Sequence, residues 1–285
     1  IDESGTVTLR MLPGTYSIVT YLEVPGAHGP DSRGVAQLAD PEVVLDRDRS
    51  VSLDASKAVP VTATVARKTE DRILYLDWYR SFAAGDYAAG QYLLPSTIDT
   101  MYAQPTKAVT DGTLEFEARW RKAYPLLQIT DRGRSIHVVG QGASSLYSGK
   151  GSMRIVDVGD GSADGFAGKD VRGALVVAHR SDNVTGSDRA QNAADAGAAL
   201  VAVVSDPGKP LIEYVGTPTG SDSAIPVVSV GATDGAALLA SAAKGRSVAV
   251  EGVPDSPYAY DLVAAWQQRV PSRLVYTPRS SQLAT

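Results

Sequence analysis

The chain has 285 residues, of which 44% are hydrophobic and 21% are charged, so it can bury a sizeable core and is expected to hold two or three domains. Its net charge of -5 and its lack of a basic run argue against nucleic-acid binding. The absence of cysteine excludes disulfides and thiolate metal sites. No apolar segment is long enough to span a bilayer. Because Ile1 is not a methionine, we expect it to be a cut end.

The first segment alternates apolar and polar residues. Val7, Leu9 and Met11 are predicted to share one face of a strand, and Pro and Gly within residues 12–15 predict a tight turn. A partner strand is predicted from Tyr16. Further short strands separated by turn residues are typical of a β-sandwich.

The sequence GTVTLRMLPGTYS at residues 5–17 resembles the hairpin of prealbumin-like sandwiches, as in carboxypeptidase regulatory domains. This resemblance implies a fold and no particular activity. Residues 1–66 are therefore predicted to form a prealbumin-like β-sandwich, and we expect one or two of its N-terminal strands to precede Ile1.

Residues 67–165 remain β-rich and become aromatic. Two predicted strands have one apolar face each, because every second residue is apolar. The apolar positions are Leu74, Leu76 and Trp78 in the first strand and Leu114, Phe116, Ala118 and Trp120 in the second. The segment predicts a second β-sandwich, with Trp78, Trp120 and Trp266 mainly as core residues; an exposed platform for carbohydrate or peptide is the alternative.

The next block, residues 166–253, predicts an α/β domain. The apolar run 174–178 has the length of a strand buried on both faces. Ser187 can cap the following helix, Asp188 is favourable in its first turn, and Gly197 can end it. A second apolar run at 198–204 completes a strand–helix–strand unit. The pattern then repeats, with a strand at 225–230, a helix at 234–244 and a strand at 247–251.

Strand-like sequence resumes after Pro254, so the α/β block is predicted to be inserted into a loop of the second β-domain. That β-domain then comprises residues 67–165 and 254–285. The predicted fold class is mainly β with an α/β insert, namely a β-sandwich followed by a second β-sandwich that the insert interrupts.

The α/β block resembles the protease-associated (PA) domain. The resemblance lies in VRGALVV at 171–177, AQNAADAGAALVAVV at 190–204 and IPVVSVGATDGAALL at 225–239, which occur in the order that the family has. It implies a module that binds protein or peptide.

A wider resemblance involves several short motifs outside this block. PGTY at 13–16, MYAQPTK at 101–107, LEFEARWR at 114–121, YDL at 260–262 and VPSRL at 270–274 are similar to one region of large subtilisin-like (S8 family) serine peptidases secreted by actinobacteria. That region follows the catalytic domain. The resemblance implies an extracellular location and a protein or peptide substrate as partner. In many such enzymes the PA domain lies inside the catalytic domain, and here it does not.

No catalytic triad can be assembled from the sequence. The subtilase serine and histidine motifs and the Gly-x-Ser-x-Gly elbow are absent. Of the three histidines, His28 and His137 are predicted to be ordinary turn and strand residues. His179 is the best functional candidate, because the C-termini of strands in α/β units tend to face ligand clefts.

The predicted docking surface is the pair of loops at residues 179–186 and 205–223. Its candidate ligand-binding residues are His179, Arg180, Asp182, Asp206 and Tyr214. No cofactor is predicted. The weak candidates for a calcium site are Asp157, Asp160 and Asp164, whose alternative interpretation is a solvated turn.

Three functions fit these patterns. The first is a non-catalytic accessory region of a secreted serine endopeptidase, and the second is a free-standing extracellular binding or adhesion protein for peptide or glycan. A third, part of a zinc aminopeptidase, is disfavoured because the sequence shows no cluster of His, Asp and Glu ligands.

Overall fold

The computed structural model describes residues 5–83, 85–93, 98–208 and 212–279. Before the α/β block the strands are β1 (Gly14–Pro25), β2 (Arg33–Leu45), β3 (Val59–Ala63), β4 (Glu70–Phe82), β5 (Gly85–Leu93), β6 (Thr100–Ala103) and β7 (Thr113–Ala123), with a short 3-10 turn at Ala55–Lys57. Next come β8 (Leu127–Asp131), β9 (Arg134–Ile136), β10 (Val138–Gly140), β11 (Gly149–Asp157), α1 (Ala163–Phe166), β12 (Leu175–His179), α2 (Gly186–Asp195) and β13 (Leu200–Val204). The remaining elements are β14 (Val227–Val230), α3 (Ala232–Ala242), β15 (Ser247–Gly252), β16 (Ala259–Gln267) and β17 (Leu274–Tyr276).

The predicted fold class, mainly β with an α/β insert, is confirmed. One sheet has the order β1-β2-β6-β3-β17 and another has the order β16-β7-β4-β5. These two sheets, which the sequence assigned to two sandwiches, pack against each other around one hydrophobic core. Periodicity identifies the buried face of a strand, but it does not identify the sheet that covers that face.

The apolar positions of β4 and β7 lie in this core as predicted. Trp78 and Trp120 are buried, and Trp120 stacks on Tyr276 of β17 with ring centroids 6.0 Å apart. Trp266 is partly buried and stacks on Phe116. The stack of Trp120 on Tyr276 therefore connects the two sheets, and all three tryptophans contribute to the core of the sandwich.

The strand predicted at the N-terminus does not form. Residues 6–12 have no strand structure, and Val7, Leu9 and Met11 are exposed. Strand β1 instead pairs with β2 over its whole length. An alternating pattern produces a strand only where a partner strand is available, and none of the described strands forms a ladder with residues 6–12.

The α/β block is built on an eight-stranded sheet with the order β10-β14-β13-β12-β11-β15-β8-β9. Its central strands β11, β12, β13 and β14 are parallel. The sheet reaches back to Leu127, N-terminal to the predicted domain start at 166. None of the helices in the described part of the chain is long and apolar enough to cross a lipid bilayer.

Both faces of the parallel strands are covered. On one face Leu175 and Val177 of β12 pack in the same cluster as Leu238 of α3. On the other face Val176 of β12 packs in the cluster that contains Ala193 of α2. Burial on both faces explains why these strands read as continuous apolar runs and do not alternate.

Helix α2 begins earlier than predicted. Thr185, and not Ser187, is the N-cap: its Oγ1 accepts a hydrogen bond from the backbone N–H of Asp188 at 3.1 Å. The Ser187 hydroxyl lies inside the helix and donates to the Gly216 carbonyl oxygen. The prediction for Gly197 is confirmed, because this residue ends the α2 segment with a φ of 80°.

The α/β domain is inserted between two neighbouring strands of the sandwich. Strand β7 ends at Ala123 and β16 begins at Ala259, and these two residues are partners in the antiparallel ladder. The Tyr124 and Tyr258 rings make an edge contact just beyond it. The chain therefore leaves and re-enters the sandwich at one point, as expected for a domain inserted in a loop.

This geometry predicts that the sandwich folds without its guest. Replacing residues 125–257 with a short glycine-rich turn should leave a domain that unfolds cooperatively, because β7 and β16 remain adjacent. Tryptophan fluorescence during urea unfolding measures this directly, since Trp78, Trp120 and Trp266 are all in the sandwich. A variant without a cooperative transition, beside a full chain that has one, would contradict the prediction.

Candidate functional site

Two surfaces lie at the C-terminal edge of the parallel strands. We call the first the loop face; it comprises the loop after β12 (His179–Asp182), Asp206 after β13, and Tyr214. The second is the seam cavity, a space of about 210 Å³ between the sandwich and the α/β domain. The sandwich lines the seam cavity with residues 28–33 and Asp99. The α/β domain lines it with Arg134, His137, Val139, Ser205, residues 229–231, Thr233 and Asp234.

Arg180 contacts two of the other predicted residues of the loop face. The Arg180 guanidinium lies 2.8 Å from an Asp182 carboxylate oxygen and 3.7 Å from an Asp206 oxygen. His179 is exposed at the end of β12, and its backbone N–H donates to the Gly159 carbonyl oxygen. The four residues thus lie on two adjacent strand ends, where an extended peptide could meet charged groups of both signs.

Tyr214 belongs to a separate part of the loop face. Its side chain is 54% exposed, and its hydroxyl donates to the Thr217 carbonyl oxygen. Its backbone forms an isolated bridge with Gly142. Residues 209–211 of the predicted loop 205–223 lie outside the described residues.

A buried arginine that the sequence analysis did not single out supports the loop face. Arg189 of α2 is 1% exposed and forms an ion pair with Glu213 at 2.7 Å. It also donates to the backbone carbonyl oxygens of Asp160 and Val184. One side chain therefore fixes the loops that follow β11, β12 and β13 relative to α2. Sequence alone gives no signal for this role, because an arginine in a short helix is usually solvated.

The weak calcium candidates lie in the loop after β11. Asp157 and Asp160 each accept a hydrogen bond from a backbone N–H two residues ahead, at Gly159 and Ser162. Asp164 lies in the first turn of α1. Among the described residues, the group whose ligand atoms lie together is a different one, in the seam cavity.

That group is formed by His28, Asp99 and His137. One ring nitrogen of each histidine and a carboxylate oxygen of Asp99 all lie within 4.8 Å of one another. The two imidazole rings stack, with centroids 4.2 Å apart and planes 6° from parallel. The sequence does not predict this cluster, because its members are far apart in the chain and belong to three different loops.

Hydrogen bonds hold Asp99 in position. Its Oδ2 lies 2.8 Å from His28 Nδ1, and its Oδ1 accepts from the Thr100 hydroxyl and the Ala27 backbone N–H. Burial alone would raise the pKa of Asp99, but these hydrogen bonds and the nearby His28 lower it to about 2. The carboxylate is therefore ionised across the physiological range.

The pKa values of the two histidines are shifted in opposite directions. The hydrogen bond to Asp99 raises the pKa of His28 above 6.5, against a smaller opposing effect of burial. Burial lowers the pKa of His137, and the positive charge on the stacked His28 lowers it further. At neutral pH His137 is consequently a neutral imidazole with a lone pair available.

Asp31 and Asp234 complete the electrostatics of the seam. Asp31 accepts from the backbone N–H groups of Gly208 and Thr233, so it lies at the N-terminus of α3, where a negative charge is favourable. Asp234 accepts from the His137 backbone N–H and pairs with Arg134 at 2.5 Å. The Asp31 hydrogen bonds join loop 28–33 of the sandwich to the α/β domain.

Comparison with known proteins identifies the inserted domain. Residues 140–238 match the family model described as PA domain, so the α/β insert of this mainly β chain is a PA domain. No curated protein matches the chain.

Solved structures that resemble part of the chain include peptidases. They are an aminopeptidase from Aneurinibacillus sp. strain AM-1 (20% identity, 54% of this chain and 36% of that chain, TM-score 0.39), a zinc aminopeptidase from Bacillus subtilis (20%, 54% and 35%, 0.37) and the psychrophilic subtilisin-like protease Apa1 from Pseudoalteromonas sp. AS-11 (19%, 55% and 40%, 0.33). The chain spans 36% and 35% of the length of the two aminopeptidases.

The first prediction for the site concerns Arg189. The substitution Arg189→Met should destabilise the PA domain by about 3 kcal/mol, because it leaves Glu213 and two carbonyl oxygens without their buried donor. Helical circular dichroism during urea unfolding measures it, since α1, α2 and α3 all lie in the inserted domain. Arg180→Met, which removes a partly exposed ion pair, is the matched control and should cost less than about 1 kcal/mol. Equal losses in the two variants would contradict the role of Arg189.

The second prediction concerns pH. Folding raises the pKa of His28, so its contribution to stability is complete below pH 6.5 and is lost as the pH rises through the folded pKa. Folding lowers the pKa of Asp99 to about 2, so its contribution is present above pH 3.8 and is lost as the pH falls toward 2. NMR titration should place His28 above and His137 below 6.5. Asp99→Asn should lower the pKa of His28, and an unchanged titration would show that the pair does not form in solution.

Proposed function

We propose that residues 1–285 are a non-catalytic region of a larger, secreted, subtilisin-like serine endopeptidase, in which the PA domain binds protein substrate or a partner protein through the loop face. The observation that carries this proposal is the PA domain itself, with a loop face whose charged side chains are exposed and whose backbone is fixed by the buried Arg189. The motifs at 101–107, 114–121 and 270–274, which are similar to the region after a subtilase catalytic domain, support the choice of parent enzyme.

The arrangement of hydroxyls in the seam cavity supports a non-catalytic role. The His28–Asp99 pair has the geometry of a base and its orienting carboxylate, so a nearby serine would suggest a triad. Yet the hydroxyl of Ser32 donates to the Gly29 carbonyl oxygen, and that of Ser205 donates to the Val230 carbonyl oxygen. Neither proton points to the His28 ring, so neither hydroxyl is activated as a nucleophile.

The loop face is suited to a peptide with mixed charge. Arg180 offers guanidinium donors beside the carboxylates of Asp182 and Asp206, and all three side chains are partly or fully exposed. Tyr214 adds an exposed aromatic ring. Exposed charges set orientation and association rate more than affinity, which fits a domain that delivers substrate to a separate catalytic unit.

The test of binding uses unfolded casein as the substrate protein. Surface plasmon resonance with immobilised chain should show binding, and Arg180→Ala or Tyr214→Ala should weaken it by about tenfold, as expected for loss of one interface anchor. Arg154→Ala is the matched control, because Arg154 is also a half-exposed arginine paired with an aspartate, Asp170. Equal binding by all variants, or none by the native chain, would refute the loop face as the docking surface.

The test of the catalytic assignment is separate. A fluorophosphonate probe for active-site serines should not label the chain, and the chain should not cleave casein, because the hydroxyls of Ser32 and Ser205 donate to backbone carbonyl oxygens. Labelling that disappears in Ser32→Ala or Ser205→Ala would overturn the non-catalytic role. A gene whose upstream sequence encodes an anchor and no peptidase domain would favour the extracellular adhesion function over the accessory one.

A further inference from the structure

We propose that His28, Asp99 and His137 form a zinc-binding site that ties the β-sandwich to the PA domain. This inference is independent of the proposed function, because it concerns the seam cavity and not the loop face. Its basis is the gathering of two imidazoles and one carboxylate, all within 4.8 Å, from two separately built parts of the chain.

The ligand types fit zinc. Zinc binds imidazole nitrogen and carboxylate oxygen in tetrahedral geometry at about 2.0–2.2 Å, so its ligand atoms lie roughly 3.4 Å apart. The three atoms need to approach by only about 1.4 Å from their largest possible separation to reach this geometry. Calcium and magnesium are poorer candidates, since they prefer oxygen ligands.

The surroundings of Asp99 are those of an oriented metal ligand. Its side chain is 7% exposed, and its Oδ1 is held by the Thr100 hydroxyl and the Ala27 backbone N–H. Such partners fix a ligating carboxylate and increase metal affinity. The Oδ2 atom now accepts a hydrogen bond from the His28 ring, and it can bind the metal once the Nδ1–H proton of His28 is released to solvent.

The histidines can reorient to bind the metal. In stacked rings the nitrogen lone pairs lie in two separate, nearly parallel planes, so at least one ring must tilt for both lone pairs to meet one ion. His28 permits this because its side chain is 49% exposed and lies in the loop between β1 and β2. Zinc binding therefore replaces ring stacking with coordination.

The local charge and space also favour a cation with an open coordination position. Arg134 is neutralised by Asp234 at 2.5 Å, so its repulsion of a bound cation is reduced. The seam cavity of about 210 Å³ has room for a water molecule as the fourth ligand. His28 and Asp99 come from the sandwich and His137 from the PA-domain sheet, so the ion would connect the two domains.

The experiment is titration of the untagged chain at pH 7 with zinc chloride, followed by isothermal calorimetry. We expect one zinc per chain, with affinity lowered by about 100-fold in His28→Gln and in His137→Ala, because each removes one of three ligands. His179→Ala is the matched control, since His179 is exposed at the end of β12 and lies outside the cluster, and it should bind zinc as the native chain does.

Cobalt substitution supplies a second readout. Four-coordinate cobalt gives strong visible absorption, which should appear in the native chain and in His179→Ala and should be absent from His28→Gln. Circular dichroism verifies the fold of each variant, and His28→Gln on its exposed loop keeps the test valid if His137→Ala does not fold. Absence of zinc binding by the native chain, or binding that survives in His28→Gln, would overturn the proposal.

Discussion

The ladder between β7 and β16 is the constraint on which the rest of the structure depends. It joins Ala123 to Ala259 across an insertion of more than a hundred residues, so the sandwich is completed only after the PA domain has been traversed. Leu262 and Ala264 of β16 and Leu274 of β17 then contribute to the same core as Trp78 and Trp120. Contacts of such large sequence separation are slow to form, so we expect β16 to join the sheet late in folding.

The same ladder determines where the PA domain can lie. Both ends of the insert leave the four-stranded sheet at one place. Attachment at that place alone would allow the PA domain to rotate relative to the sandwich. The second anchor is loop 28–33, from the five-stranded sheet. Asp31 accepts from Thr233 at the N-terminus of α3, and Arg33 donates to the Gly208 carbonyl oxygen. A Cβ on Gly231 would lie 2.9 Å from Asp31 Cβ, so glycine is needed for this close approach.

Much of the fold could be predicted from the sequence, because the burial of a strand face produces a regular spacing of apolar residues. The alternation in β4 and β7 and the apolar run in β12 follow from one covered face and two covered faces, respectively. The choice of partner strand or partner sheet produces no such spacing. The pattern at Val7, Leu9 and Met11 has no described partner strand. The two predicted sandwiches share one core. Thr185 caps α2 in place of the predicted Ser187, because the Thr185 hydroxyl accepts the hydrogen bond from the backbone N–H of Asp188.

The candidate site shows a similar division. The expectation that the C-terminal edge of the parallel strands carries the site came from the general behaviour of α/β units. Both surfaces do lie on that edge, but only residues of the loop face could be named in advance. His28, Asp99 and His137 are gathered by the docking of the sandwich onto the PA domain, which no spacing in the sequence encodes. The role of Arg189 depends on two carbonyl oxygens and one carboxylate that surround it in the fold, and the sequence does not predict this arrangement.

The two surfaces divide one edge of the PA-domain sheet. At the ends of β13 and β14, Ser205 and Gly231 face the seam, where loop 28–33 covers them. At the ends of β11 and β12, the loops after Asp157 and His179 remain exposed, and Asp206 follows Ser205 directly on the boundary. The sandwich thus decides which half of the edge a partner can reach. A rigid seam would hold Arg180 and Asp206 at a fixed position relative to the sandwich, because the Arg180 backbone N–H donates to the carbonyl oxygen of Val204, the residue before Ser205 of the seam.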